Sequence, residues 1–328
     1  MAYKDEVRYY GRMAPFCEAF VQLKQAAGYD YIAMAHVLSR FSKFSLDYES
    51  DAMLISKELV DDWVALQPGE KGKTAGNRET AVRQLAKYLH GHGFSVYILP
   101  DGHRRHPRSG FTPYIFTHGE IQKIFLALDQ MMPVPNNRVL HIQYQLLFRI
   151  LYGCGLRISE ALELRISDVD VGHGILTIRD SKFGKDRLIP MSGSLTQRCG
   201  NYMTHTLGNT EPEALFFSNR RGEKKSNVDA HQWFRKVLRQ CGIPYRGKGK
   251  GPRQHDLRHT FAVHSLQRWA EAGKDIYTML PLLSTYLGHA SIHATQDYLR
   301  LTSEIYPDII NTLEQAHGNL IPEMEGFQ

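Results

Sequence analysis

Apolar positions recur at helical spacing along the first ninety residues. Phe16, Phe20 and Leu23, then Met34, Val37, Leu38 and Phe41, fall on the three-and-four repeat of a buried helix face and predict helices over 11–30 and 31–45. A third helix is expected over 55–65. The stretch "NRETAVRQLAKYLHGHG" predicts a fourth over 77–93, with Asn77 or Thr74 as cap and glycines at its end. Four short helices with no strand between them make a small bundle.

The pattern then breaks at "LPDGHRRHPRSGFTP" (99–113), where Pro, Gly and basic residues replace the apolar repeat and predict a linker. Its charge, with Arg104 and Arg105 at the centre, suits either a segment lying against DNA or a solvated connector. Helical spacing resumes at "THGEIQKIFLALDQM" (117–131), where Thr117 and Glu120 have the spacing of a capping box. A greasy helix over 138–152 follows, Gly155 ends it, and a short helix runs from Ile158 to Leu164. "GILTIRDSKFGKDRLIPM" (174–191) alternates on both sides of Lys182 to Lys185, the signature of a β-hairpin with a basic tip. "EALFFS" (213–218) is either a further strand or apolar chain entering the core. Helices are expected over 227–240, 256–271, 276–286 and 303–316, with Tyr298 on a short helix before the last of these. The chain is therefore mainly α with a small antiparallel β-sheet.

Composition changes this picture little. Of 328 residues, 42% are hydrophobic and 23% charged, the balance of an ordinary globular protein. A net charge of +6 favours an anionic partner without identifying it, and the basic residues are spread over both halves rather than gathered in a tail. The four cysteines, Cys17, Cys154, Cys199 and Cys241, are isolated and lack zinc-ligand spacing, which fits core positions in a reducing compartment. The opening MAYKDEVRYY lacks the apolar run of a signal peptide, and no uninterrupted apolar stretch is long enough to span a bilayer. The expected setting is the cytoplasm of a prokaryotic cell, at the nucleoid.

Basic and imidazole groups collect in four places. Arg157 follows a Gly-Leu turn at a helix start, where backbone N–H groups favour an anion; alone it is more readily a surface arginine. Lys182, Lys185 and Arg187 lie at the hairpin tip, which could equally be a solvated turn. His255, Arg258 and His259 share one helical face, preceded by Arg246, Lys248, Lys250 and Arg253 on a Gly-rich segment that suits phosphate contacts or a solvent-facing loop. Finally "LSTYLGHASIHATQDYLRLTS" (283–303) puts His289 after the helix-ending Gly288 and Tyr298 nine residues on. A tyrosine hydroxyl titrates near 10 in water, so it becomes a nucleophile only where cations stabilise the phenolate or a base removes its proton.

Taken together in order, "GCGLRISEALELRISDVD", "SKFGKDRLIP", "HDLRHTFAVH" and "LLSTYLGHASIHATQDYLR" resemble the four motif boxes of the tyrosine recombinase, or phage integrase, family. The likeness covers nearly the whole chain and is strongest over 150–302. It implies a helical core-binding domain over 1–98, a basic linker over 99–113 and a catalytic domain over 114–328 with a tail helix, closing as a C-shaped clamp on duplex DNA. It further implies that Tyr298 attacks a phosphodiester, forming a 3′-phosphotyrosyl link and releasing a 5′-hydroxyl. Arg157 and Arg258 would clamp the non-bridging oxygens and Lys182 would protonate the departing oxygen. His255 would assist proton transfer at the tyrosine, and His289 would hydrogen-bond the phosphate. Glu160 resembles the accessory carboxylate that orients basic groups or caps the helix. His259, His264 and His293 are assigned to packing or surface, and Trp233 and Trp269 to the core.

No metal or other cofactor is implied, because a side chain supplies the nucleophile and organic cations neutralise charge. The expected partners are double-stranded DNA, further copies of the chain in a tetrameric synaptic complex and accessory directionality or DNA-bending proteins, with no membrane. Site choice is expected on the polar faces of 77–90 and 227–240, where Arg78, Arg83, Lys87, Arg235 and Arg239 recur. The apolar stripe Ile305, Ile309, Ile310 and Leu313 docks either on a neighbouring protomer or back on its own domain. The rival readings are a type IB topoisomerase-like relaxing enzyme and a non-catalytic DNA-binding regulator on the same fold.

Overall fold

The computed structural model describes residues 7–48, 53–70, 72–100, 112–135, 137–181, 185–247, 251–289 and 293–305. The chain divides into two compact units, Met1–Gly110 and Phe111–Gln328.

In the first unit four helices form as the apolar repeat predicts: α1 (Ala14–Ala26), α2 (Ile32–Phe44), α3 (Lys57–Val64) and α4 (Gly72–Gly91). Their apolar faces close a core around Cys17, Phe20, Leu38, Phe41, Leu59, Val60, Leu85 and Leu89. The Ser56 side chain accepts the Leu59 N–H and starts α3. The expected cap of α4 is corrected: the helix begins at Gly72, so Thr74 and Asn77 lie inside it. Ala75, in the extra turn, is wholly buried.

Arg78 is a second correction. It is 5% exposed rather than on a polar face, donates to the Ala65 carbonyl at 3.0 Å and to the Trp63 carbonyl, and pairs with Glu70. Three acceptors brought together by the α3–α4 connection offset part of the cost of burying its charge.

The second unit opens with α5 (His118–Asp129), whose start has both halves of the Thr117–Glu120 capping box. Then come α6 (Leu140–Gly153) and the short α7 (Ile158–Glu163). A three-stranded antiparallel sheet follows: β1 (Val169–Asp170), β2 (Ile175–Ser181) and β3 (Lys185–Pro190). Leu176 pairs with Ile189 and Ile178 with Arg187, which turns Leu176, Ile178 and Ile189 into the core. The helix α8 (Gly193–Tyr202) was not foreseen from the sequence. "EALFFS" is core-entering chain rather than a strand: Phe216 and Phe217 are fully buried, and only an isolated bridge joins Leu215 to Arg165.

Four further helices follow among the described residues: α9 (Asn227–Gln240), α10 (Asp256–Glu271), α11 (Ile276–Leu287) and α12 (His293–Ile305). Most of the expected helix over 303–316 lies outside the described residues. The helix α10 packs against α6, α11 and α12 and is the central beam of this half. No helix among the described residues is long and apolar enough to cross a membrane.

Candidate active site

The site is assembled on two glycine turns. Gly155, between α6 and α7, has φ +59°, and a Cβ there would sit 2.5 Å from the Phe261 ring of α10 and 2.9 Å from the Leu287 side chain of α11. Only glycine both adopts that conformation and lets the turn seat against the two helices. Gly288 ends α11 in the left-handed region (φ +63°), with its own N–H donating to Thr285 and that of His289 donating to the Ser284 carbonyl at 3.0 Å. The carbonyls of Gly155, Leu287 and Gly288 are the acceptors around which the arginines gather.

Arg157, the residue before α7, donates through Nη2 to the Gly288 carbonyl at 3.1 Å and through Nη1 to Glu160 at 2.6 Å. Arg258, in the first turn of α10, is 2% exposed and donates to the Gly155 carbonyl at 2.7 Å and the Leu287 carbonyl at 2.6 Å. Two arginines a hundred residues apart in sequence thus meet at one place. Each terminal guanidinium nitrogen carries two N–H groups, so these carbonyl bonds do not exhaust either side chain. Arg157, with 23% of its side chain exposed, is the more accessible of the two.

Glu160 lies beneath them, 8% exposed in its side chain. Besides Arg157 it receives both terminal nitrogens of Arg187, at 3.2 and 2.8 Å, and stands 3.9 Å from Arg258. Its Oε2 also accepts the Arg157 backbone N–H at 2.8 Å, so it caps α7 as well. Burial alone would raise the Glu160 pKa, but hydrogen bonds from Arg187 and Arg157 outweigh it and hold the carboxyl below its ordinary value. Arg187 corrects the expectation of a DNA-contacting tip residue. With Nε also on the Tyr286 carbonyl at 3.1 Å and a side chain 9% exposed, it ties β3 to α11 beneath the site.

The imidazoles form a second group. The His289 Nδ1 is 2.8 Å from the hydroxyl of Thr295, a fully buried residue of α12, and its ring stacks on Tyr298 with centroids 6.0 Å apart. The Tyr298 hydroxyl is 2.9 Å from Nδ1 of His259, and the whole residue is 4% exposed. The His255 ring meets that of His259 edge to face at 4.8 Å. Burial, then the positive charges of Arg258, Arg253 and Arg157, push His255 down to about 4, while Glu160 pulls the other way. Burial and the neighbouring arginines likewise lower His289 to about 4. Burial, with His255, Arg253, Arg258 and His289, takes His259 to about 3. All three are neutral near pH 7 and able to accept a proton or hydrogen bond.

Sequence reasoning missed two residues of this site. His259, assigned to packing, touches the tyrosine hydroxyl; its position four after His255 on one helix face was the available signal. No sequence pattern pointed to Thr295. Lys182, at the hairpin tip, and Arg104, Arg105, Lys248 and Lys250 lie outside the described residues, and only the backbone of Lys185 is described. Of the other basic candidates, Arg253 pairs with buried Asp256 at 3.0 Å, Arg235 stacks on Tyr245 at 3.4 Å and exposed Arg246 lies over Tyr114 at 5.3 Å. Arg239 and Lys87 are exposed, and Arg83 donates to the Leu99 carbonyl at 3.0 Å. Among the described residues no three His, Cys, Asp or Glu side chains gather as a metal-holding group.

The sequence model of the phage integrase family matches residues 116–304. The protein y4rB of Sinorhizobium fredii, an integrase/recombinase by name, is 30% identical over 91% of this chain and 96% of its own length. The tyrosine recombinase XerA of Pyrococcus furiosus is 33% identical over 63% of this chain and 65% of its own. Solved structures share the fold. The XerH site-specific recombinase bound to its palindromic difH substrate has TM-score 0.64 at 20% identity, covering 90% of this chain and 83% of that one. The Tn1549 transposon integrase with transposon right-end DNA has TM-score 0.64 at 16% identity, covering 89% and 99%.

Proposed function

Because this chain belongs to the phage integrase family, we propose that it is a tyrosine-type site-specific DNA recombinase, cleaving and rejoining duplex DNA through a covalent protein–DNA intermediate. The observation that carries the chemistry is the convergence of Arg157, Arg258, His255, His289 and Tyr298, from three separate stretches, around the Gly155 and Gly288 turns.

The Tyr298 oxygen attacks phosphorus, giving a 3′-phosphotyrosyl link and a free 5′-hydroxyl. Arg157 and Arg258 neutralise the non-bridging oxygens, where charge accumulates in the transition state. Lys182 protonates the departing oxygen, and His289, held by Thr295, hydrogen-bonds the phosphate. Glu160 and Arg187 fix the guanidinium groups in place. The bond energy is kept in the phosphotyrosyl ester, so a second 5′-hydroxyl reverses the step without an external energy source.

The burial of Tyr298 bears on control. Its hydroxyl must be uncovered before it can meet a phosphate, so DNA binding and assembly have to shift α12. In this reading 1–98 is a DNA-binding core domain and 114–328 the catalytic domain. Four protomers assemble on two DNA sites, with the apolar stripe that begins at Ile305 docking on a neighbour.

The test is covalent trapping on nicked duplexes taken from the DNA that flanks its own gene, followed by peptide mapping. The adduct is expected on Tyr298 and absent in Tyr298→Phe; an adduct on Tyr286 or Tyr202 overturns the assignment.

A further inference from the structure

Resting on that reading of the site, we infer that His259 is the immediate proton acceptor of Tyr298, with His255 behind it. The residue that touches the reacting oxygen is His259: its Nδ1 is 2.9 Å from the Tyr298 hydroxyl, within the reach a general base requires. His255 stands one ring further out, edge to face on His259 at 4.8 Å. Both follow from helix geometry. His255 and His259 are four apart at the start of α10, so their rings lie on one face, and α12 crosses that face with Tyr298.

The step balances without a further reactant. A neutral His259 with its proton on Nε2 accepts the Tyr298 hydroxyl hydrogen at Nδ1. As the O–H bond breaks, the oxygen forms its bond to phosphorus while the bond from phosphorus to the 5′ oxygen breaks. The leaving electron pair goes out on that oxygen, which Lys182 protonates. In rejoining, the His259 imidazolium returns its proton to the departing tyrosine.

The groups facing His259 are His255, Arg253 and Arg258 from α10 and the chain leading into it, His289 after α11, and Tyr298 from α12. Without DNA, burial and the charges of Arg253 and Arg258 keep the ring neutral, the form a base needs. A phosphodiester seated between Arg157 and Arg258 cancels part of that positive field, which makes the imidazolium less costly at the moment it forms.

The experiment measures single-turnover adduct formation on a nicked duplex spanning the mapped cleavage position, with oxygen or sulfur at the bridging 5′ position. Sulfur leaves without an acid, so it separates the two proton transfers. Lys182→Ala is expected to recover on the sulfur duplex. His259→Gln and His259→Ala are expected to lose about 10²-fold or more on both duplexes, the usual size of a general-base contribution. Their DNA binding, read by gel shift, stays at the wild-type level, which separates this loss from misfolding.

The defect should also shrink as pH rises toward that of a free phenol, and when Tyr298 is replaced by a fluorotyrosine that ionises more readily. A packing role for His259 would move neither readout. Wild-type rates in both His259 variants, a loss indifferent to pH and to the phenol's acidity, or phenol-dependent rescue seen at His255→Ala instead, each overturn the inference. Failure of wild-type protein to form any Tyr298 adduct overturns the recombinase reading itself, and the inference with it.

Discussion

Glu160 shows how much one side chain can hold. It is a single carboxylate beneath Arg157, Arg187 and Arg258, and with its partners Arg187 and Arg258 also nearly buried, each loses its counter-charge if Glu160 is removed. Breaking a buried ion pair from one side costs roughly 3–5 kcal/mol, because the charge left behind stays desolvated. Glu160→Ala is therefore expected to lower unfolding stability by about that amount, read as a shift of the urea midpoint. A change within about 0.5 kcal/mol would show that solvent already compensates the arginines. The resemblance implied for Glu160, three after Arg157, either the orienting of basic groups or a helix cap. Which arginines it holds was not legible, because Arg187 reaches it from a strand 27 residues away.

The element that decides the site is α10. It presents His255, Arg258 and His259 from its first turns and carries buried His264 further along, whose pKa burial and His118 lower to about 4. Four imidazoles held neutral at about 3 to 4 give the protein a definite acid response. In the unfolded chain each binds a proton near pH 6.5, whereas the folded forms stay unprotonated until much lower. Between those values the unfolded state holds more protons, so stability rises with pH. Denaturant titrations should thus show stability complete above about pH 6.5 and progressively lost toward pH 4, with the slope reduced in His264→Phe. A flat profile over that window would mean that these rings are hydrated and titrate normally. At the scale of elements, most of α5 to α7 and α9 to α11 could be read directly, since the apolar repeat and the caps agree. The helix α8 escaped because "GSLTQRCGNY" offers only Leu195, Cys199 and Tyr202 to the core.

At the scale of the whole molecule, a net charge of +6 is small for a protein expected to track a phosphate backbone. Arg78 and Arg187 are committed to internal acceptors, so the surface charge available to DNA is smaller still. Each phosphate neutralised contributes a slope of about −0.9 to the fall of log affinity with log salt. Exposed Lys87, Arg239 and Arg246 are expected to contribute to that slope, whereas Arg78→Met should leave it unchanged and act on stability alone. Binding isotherms over a salt series decide this; a reduced slope in Arg78→Met would return that residue to the DNA surface.

The amino-acid sequence by itself determined the helical repeat, the hairpin and the order of the four motifs, because each depends on residues within a turn or two of one another. The resemblance those motifs carry is what pointed to Tyr298, Arg157, Arg258 and His289. The tertiary structure alone decided which groups touch: the Arg187–Glu160 bond, the Thr295 support of His289 and the His259–Tyr298 contact each join separate elements. Such pairings arise from how α7, β3, α10 and α12 pack around two glycine turns, and local patterning holds no record of packing between distant segments.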